Sequence, residues 1–206
     1  MEQITDFYLF LLSVISISLS GVMTPGPVFA VAIAKGSKDK AAGFLISLGH
    51  GIVEFPLMFL IYFGFAEFLS SSMAQKTIGF AGGLILIYMG FRTLKTQNED
   101  STRPSHSKHG SIVSGILATS ANPYFLLWWA TVGTALIVNA SFFGFLGFST
   151  FAITHWSCDL LWNTFVSLTV FKSRRFWTRK VQRAVFILCC AILTAFGVLF
   201  IVSAIR

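Results

Sequence analysis

Two pairs of ionisable residues stand inside apolar stretches. His50 and Glu54 are four residues apart, and so are His155 and Asp159. A spacing of i, i+4 places both members of a pair on one helix face. A charge within an apolar membrane helix costs at least about 2.5–3.5 kcal/mol on insertion scales, so such residues face a cavity or a partner. A neutral carboxylic acid bonded to a neutral imidazole is stable and dry. One proton more or less changes the charge of that pair, which is what proton coupling requires, and imidazole titrates near neutral pH. A metal site is the alternative, since imidazole plus carboxylate suits zinc, manganese or iron. It requires His50, Glu54, His155 and Asp159 to converge. A third reading is a satisfied polar pair that holds helices together. Asn163, four residues after Asp159, and Ser47, three before His50, extend the polar seam or satisfy it.

The elements that position these residues are read from the apolar runs. The chain has 206 residues, 55% hydrophobic and only 11% charged, against roughly a quarter charged in soluble proteins. Mean hydropathy is +0.77. So little charge cannot cover a soluble domain, and lipid is the solvent that tolerates this surface. A span needs about 20 mainly apolar residues. Six runs qualify, at 7–34, 41–65, 77–91, 112–138, 142–171 and 181–204. Continuous runs exclude a transmembrane β-barrel, whose strands are short and alternating. The polar stretch 95–110, rich in Ser, Thr and His, reads as a disordered loop. Glu2 and Asp6 stand where a signal peptide would be basic, so none is expected.

Orientation follows from the basic residues. Lys35, Lys38 and Lys40 lie between the first two runs. Arg92, Lys95, Arg103 and Lys108 lie between the third and fourth. Lys172, Arg174, Arg175, Arg179, Lys180 and Arg183 lie between the last two. These are thirteen of the fifteen basic residues, and only Lys76 and Arg206 fall on the other side. Both termini are therefore expected outside a cell (inner) membrane. The net charge of +7 reflects this asymmetry and attraction to anionic lipid, not nucleic-acid binding.

With three spans in each half, the second half enters from the opposite side, as in an inverted repeat. The expected architecture is one all-α transmembrane transporter domain over 1–206, with repeats at about 1–95 and 111–206. Two matching breaks support it: Thr24-Pro25-Gly26-Pro27 in the first helix and Asn122-Pro123-Tyr124 in the fourth. Proline removes a backbone donor and clashes with the preceding turn. In hydrocarbon such a break survives only where protein or water covers it. Half-helix ends exposed there suit charged or zwitterionic groups, which makes these seven residues the expected substrate contacts. A packing kink is the simpler alternative.

Other residues read more plainly. Cys158, Cys189 and Cys190 form no metal or disulfide pattern and read as small packing residues. Trp128 and Trp129 read as interface anchors, with a stacking role for substrate as the lesser option. The phenylalanines read as lipid-facing bulk. Gly79 and Gly83 have Gly-x-x-x-Gly spacing, which suits internal packing or a homodimer face.

Three segments carry a resemblance: residues 21–27 with Pro-Gly-Pro, the Gly82-Gly83 to Gly90-Phe91 segment with Tyr88, and residues 115–123 ending in Asn-Pro. In this order and at this length the chain resembles the lysine exporter (LysE/RhtB) family of translocators. The resemblance implies a secondary transporter, not an enzyme, that exports amino acids or related small metabolites, by exchange for protons and with no cofactor. Two departures bear on the substrate. Tyr124 stands where many members have lysine, and the His/acid pairs are not part of the pattern of basic amino-acid exporters, so a lysine or arginine substrate is not implied. A divalent metal-ion transporter is the alternative. A membrane scaffold would not need buried acids, and an intramembrane enzyme would need a nucleophile with a base or a metal.

Overall fold

The computed structural model describes residues 6–24, 26–64, 72–97, 108–176 and 178–205. Every regular element among them is helical. Helix α1 (Phe7–Val22) is capped by Asp6, whose carboxylate accepts from the Leu9 N–H at 2.9 Å. The chain leaves the helix after Val22 and restarts as α2 (Pro27–Gly36), bent by 72° from α1. Pro27 occupies the first helical position, where its missing N–H leaves no bond unmade. Pro25 lies outside the described residues. Helix α3 (Ala42–Tyr62) carries the first His/acid pair. Helix α4 (Ser72–Gln97) is followed by α5 (Lys108–Ser120).

The fourth run breaks at Asn122. Its extended backbone separates α5 from α6 (Pro123–Trp128), and its side-chain oxygen accepts from the Tyr124 N–H at 3.1 Å. A π-helical turn, Trp129–Gly133, joins α6 to α7 (Thr134–Ser141). Such single turns are frequent at functional sites. Gly144, at φ 67°, turns the chain into α8 (Gly144–Ser173), because only glycine adopts this left-handed geometry at no steric cost. A 3-10 turn, Arg174–Phe176, precedes α9 (Arg179–Ile205).

Among the described residues, three helical stretches are long and apolar enough to cross a membrane: Ala42–Tyr62, Tyr124–Ser141 and Arg183–Ile205. The bent pair α1–α2 makes a fourth. Gly79–Phe91 and Gly110–Ser120 are apolar but shorter. Helix α8 is 30 residues long, and His155, Asp159 and Asn163 dilute its hydropathy. Length and hydropathy together thus mark fewer spans than the six runs read from sequence. The polar stretch 95–110 is also less of a loop than expected. Helix α4 continues to Gln97 and α5 starts at Lys108, because Leu94, Lys95 and Gln97 are good helix formers. Residues 98–107, with Arg103, lie outside the description.

Helix α4 packs along α9, α3 packs against α5 and α8, and α1 and α2 lie on α8. A Cβ at Gly83 would come 2.6 Å from the Gly197 carbonyl oxygen, so this crossing admits only glycine. Gly79 faces Phe200 and Ala204 on the same helix. The Gly-x-x-x-Gly face of α4 is thus occupied within the chain. One apolar cluster centres on Ala30, Ile46, Leu86, Phe186 and Leu193, the other on Phe10, Met58, Trp129, Phe148 and Phe151. The reading of the phenylalanines as lipid-facing is corrected in part. Phe10, Phe148, Phe151 and Phe186 are core, while Phe145 and Phe165 face outward. Cys189 is fully buried among apolar residues, as a packing residue. At one end of the bundle the Arg174 guanidinium donates to the Ser37 and Lys38 carbonyls at 3.1 and 3.4 Å. This brings two of the three basic connections to the same face.

Candidate functional site

The two His/acid pairs meet. Helix α3 presents His50 and Glu54, and α8 presents His155 and Asp159. One oxygen of Glu54 receives both imidazoles, with His50 Nε2 at 2.9 Å and His155 Nε2 at 3.3 Å. Asp159 lies slightly farther off, its Oδ1 3.6 Å from His50 Nε2 and its Oδ2 3.7 Å from His155 Nε2. All four side chains are buried, Glu54 to 1% exposure. Each acid therefore faces its own histidine one turn away and the other across the helix interface.

The second nitrogen of each ring is held by a hydroxyl. His50 Nδ1 pairs with Thr119 Oγ1 of α5 at 2.8 Å, and His155 Nδ1 with Ser18 Oγ of α1 at 2.7 Å. These two residues were not singled out from the sequence. A lone Ser or Thr in an apolar helix looks the same whether it reaches across or bonds its own preceding turn, as Ser149 and Thr150 do. Glu54 Oε2 and Asp159 Oδ2 are buried without a hydrogen-bond partner among the described residues.

Above this centre opens a cavity of about 350 Å³. Its wall includes both helix breaks: Thr24, Gly26 and Pro27 on one side, Asn122 and Tyr124 on the other. Its floor includes His50, Glu54, His155, Asp159 and Asn163. Among the described residues, the ionisable linings are His50, Glu54, His155, Asp159 and Tyr124, with no lysine or arginine. Of the expected substrate contacts, Asn122 is buried and Tyr124 is half exposed. The Thr24 hydroxyl donates to the Ser20 carbonyl at 3.0 Å. Pro123 starts α6. Asn163 serves the backbone rather than a carboxylate, donating to the Asp159 carbonyl at 3.0 Å. Ser47 donates to the same carbonyl at 3.2 Å.

The reading of Trp128 and Trp129 as interface anchors is corrected. Trp128 stacks on the His155 ring at 5.1 Å between centroids, and Trp129 meets the same ring edge-on at 5.1 Å. Trp129 is fully buried. Trp128 ends α6 after the break at Asn122, and Trp129 opens the π turn.

The arrangement can hold and release protons between two imidazoles and two carboxylates, and it can also offer ligands to a cation. Nε2 of His50, Oε1 of Glu54 and an oxygen of Asp159 all lie within 4.8 Å of one another.

The profile of the LysE type translocator family matches residues 19–204. The "Putative amino acid efflux protein YcgF" of Bacillus subtilis (strain 168) is 28% identical over 198 residues, covering 92% of this chain and 93% of the relative. No solved structure gives a significant match.

Proposed function

We propose, from the premise that the chain belongs to the LysE type translocator family, that it is a multi-pass membrane transporter exporting amino acids or related small metabolites in exchange for protons. The family points to transport rather than catalysis. The name of the Bacillus relative, an amino acid efflux protein, supports the direction and the substrate class. One observation carries the proton coupling. Two carboxylates and two imidazoles from facing helices line a cavity that no lysine or arginine lines among the described residues. Buried acids without a fixed cation need protons or a bound cation to offset their charge.

Substrate sits between the two breaks, at Thr24 to Pro27 and Asn122 to Tyr124, where exposed backbone at half-helix ends receives charged groups. The domain spans 1–206 in a cell (inner) membrane with both termini outside, as the charge asymmetry indicates. Its repeats, about 1–95 and 111–206, are inverted. Their exchange of packing partners supports this: α3 of the first lies on α5 of the second, and α8 of the second on α1 and α2 of the first. Rocking of one repeat against the other gives alternating access.

The test is counterflow of a panel of labelled amino acids into proteoliposomes. The reading expects at least one to be taken up, and Glu54→Gln and Asp159→Asn each to slow it by at least about tenfold, equivalent to about 1.4 kcal/mol in the barrier. Uptake at the wild-type rate in both variants would remove the acids from the mechanism. A divalent cation as cargo is the second reading, favoured by the three converging ligands. Accumulation of the ion itself, with no amino-acid flux, would select it.

A further inference from the structure

The geometry points to a divalent transition-metal site at His50, Glu54, Asp159 and His155 that staples α3 to α8 and, when filled, arrests export. The arrest rests on the rocking of repeats described above; the binding does not.

The donor set comes first. His50 Nε2, Glu54 Oε1 and an Asp159 oxygen lie within 4.8 Å of one another, and His155 Nε2 approaches the same two carboxylates at 3.3 and 3.7 Å. A tetrahedral ion with bonds of about 2.0–2.1 Å has ligand–ligand edges of about 3.3–3.4 Å. The four imidazole–carboxylate distances, 2.9, 3.3, 3.6 and 3.7 Å, bracket that edge. His155 stands outside the set that converges within 4.8 Å, so its ring has to swing closer to become the fourth ligand. Two imidazoles with two carboxylates suit zinc, cobalt or manganese rather than calcium or magnesium, which prefer oxygen alone.

Two further observations are independent of the ligand count. Glu54 Oε2 and Asp159 Oδ2 are buried without a hydrogen-bond partner among the described residues, so the centre as it stands has unused acceptor capacity. Each imidazole is also supported from behind, by Thr119 Oγ1 and Ser18 Oγ on Nδ1. With an ion in place, Nδ1–H donates to that hydroxyl and the Nε2 lone pair is free for the ion. This is the outer-shell arrangement that fixes the tautomer of metal-binding histidines. A centre built only to glue helices does not need both rings oriented this way.

The consequence follows from where the ligands stand. His50 and Glu54 belong to the first half of the chain and His155 and Asp159 to the second. An ion bound to both halves prevents their relative movement.

The test is a titration of tag-free, full-length protein in detergent with Co(II), read by the visible bands of four-coordinate cobalt. Amino-acid export from proteoliposomes is measured in parallel with and without the ion. The expected result is one ion per chain and loss of the bands in His50→Gln and in His155→Gln. Ser18→Ala and Thr119→Val are expected to bind about 10–100-fold more weakly, as for other outer-shell partners. Export by the wild type is expected to stop when the ion is bound. Circular dichroism verifies that each variant keeps its helices, and the two hydroxyl variants serve if a histidine variant does not fold. No four-coordinate bands, bands that survive both histidine substitutions, or full export with the ion bound would each overturn the proposal. The spectrum needs no substrate, so failure of the export reading leaves the binding test intact.

Discussion

At the scale of the residue, the centre depends on groups that are only satisfied together. Glu54 is shared by two imidazoles, and each imidazole is held by a hydroxyl from a further helix. Removing one partner of a buried hydrogen bond costs about 1–3 kcal/mol, because the other is left unpaired. Thr119→Val is therefore expected to lower the unfolding temperature of the detergent-solubilised protein, and Thr119→Ser to restore it. Unchanged melting in Thr119→Val would mean that the hydroxyl does not hold the ring. Trp129 is fully buried against His155 and Phe151, so Trp129→Ala is expected to cost roughly 3–5 kcal/mol by the same measurement. The ionisable residues were legible in the sequence, because a carboxylate inside an apolar run is rare enough to stand out. The hydroxyls and the indoles were not. Their types are ordinary in membrane helices, and only the packing of α1 and α5 on the pairs, and the turn at Trp129–Gly133, gives them a role.

At the scale of the element, two breaks shape the cavity, and their chemistry differs. The first is a change of direction by 72° that ends with a proline at the start of α2 and no side-chain cap. The second is capped by Asn122. Loss of an N-cap costs about 0.5–2 kcal/mol. Asn122→Ala should therefore destabilise the start of α6, displacing Trp128 and Trp129, whereas Asn122→Asp keeps the acceptor and should keep the fold. Equal transport by the alanine variant and the wild type would show that the cap does not position the wall. Both breaks were visible where proline clusters with Gly or Asn; a lone proline is not enough, since Pro56 sits inside α3. The helix between them and the polar stretch was not. Composition near 95–110 suggested a loop, while local propensity carried α4 on to Gln97. Close crossings at glycine are similar in kind. Gly115→Leu would drive its side chain into the Ile46 carbonyl and separate α5 from α3, so this variant is expected to lose folded protein, as read by size-exclusion elution.

At the scale of the whole molecule, charge and apolar surface set the frame. Outward-facing Leu9, Leu12, Ile52, Leu146, Leu161 and Leu199 leave a surface that lipid tolerates and water does not. Thirteen of the fifteen basic residues gather in three connections, and the Arg174 bonds to Ser37 and Lys38 bring two of these to one end. A cysteine placed at residue 3 is expected to react with an impermeant thiol reagent in intact cells, and one placed at residue 38 only after the membrane is opened. The reverse pattern would invert the topology. The helical class and the apolar runs were legible from hydropathy. The convergence of the two pairs was not, because it depends on α3 and α8 packing together across about a hundred residues of chain.

In the proposed mechanism, export is exchanged for protons through the shared carboxylates. The most direct measurement is proton movement in proteoliposomes carrying a pH-sensitive dye, with single amino acids added outside. Moving one charge across the membrane is worth about 2.3 kcal/mol per 100 mV, so the potential can be clamped to separate proton from charge movement. A transported amino acid is expected to drive protons, and Glu54→Gln or Asp159→Asn to abolish this. Amino-acid flux that proceeds with no movement of protons would contradict it.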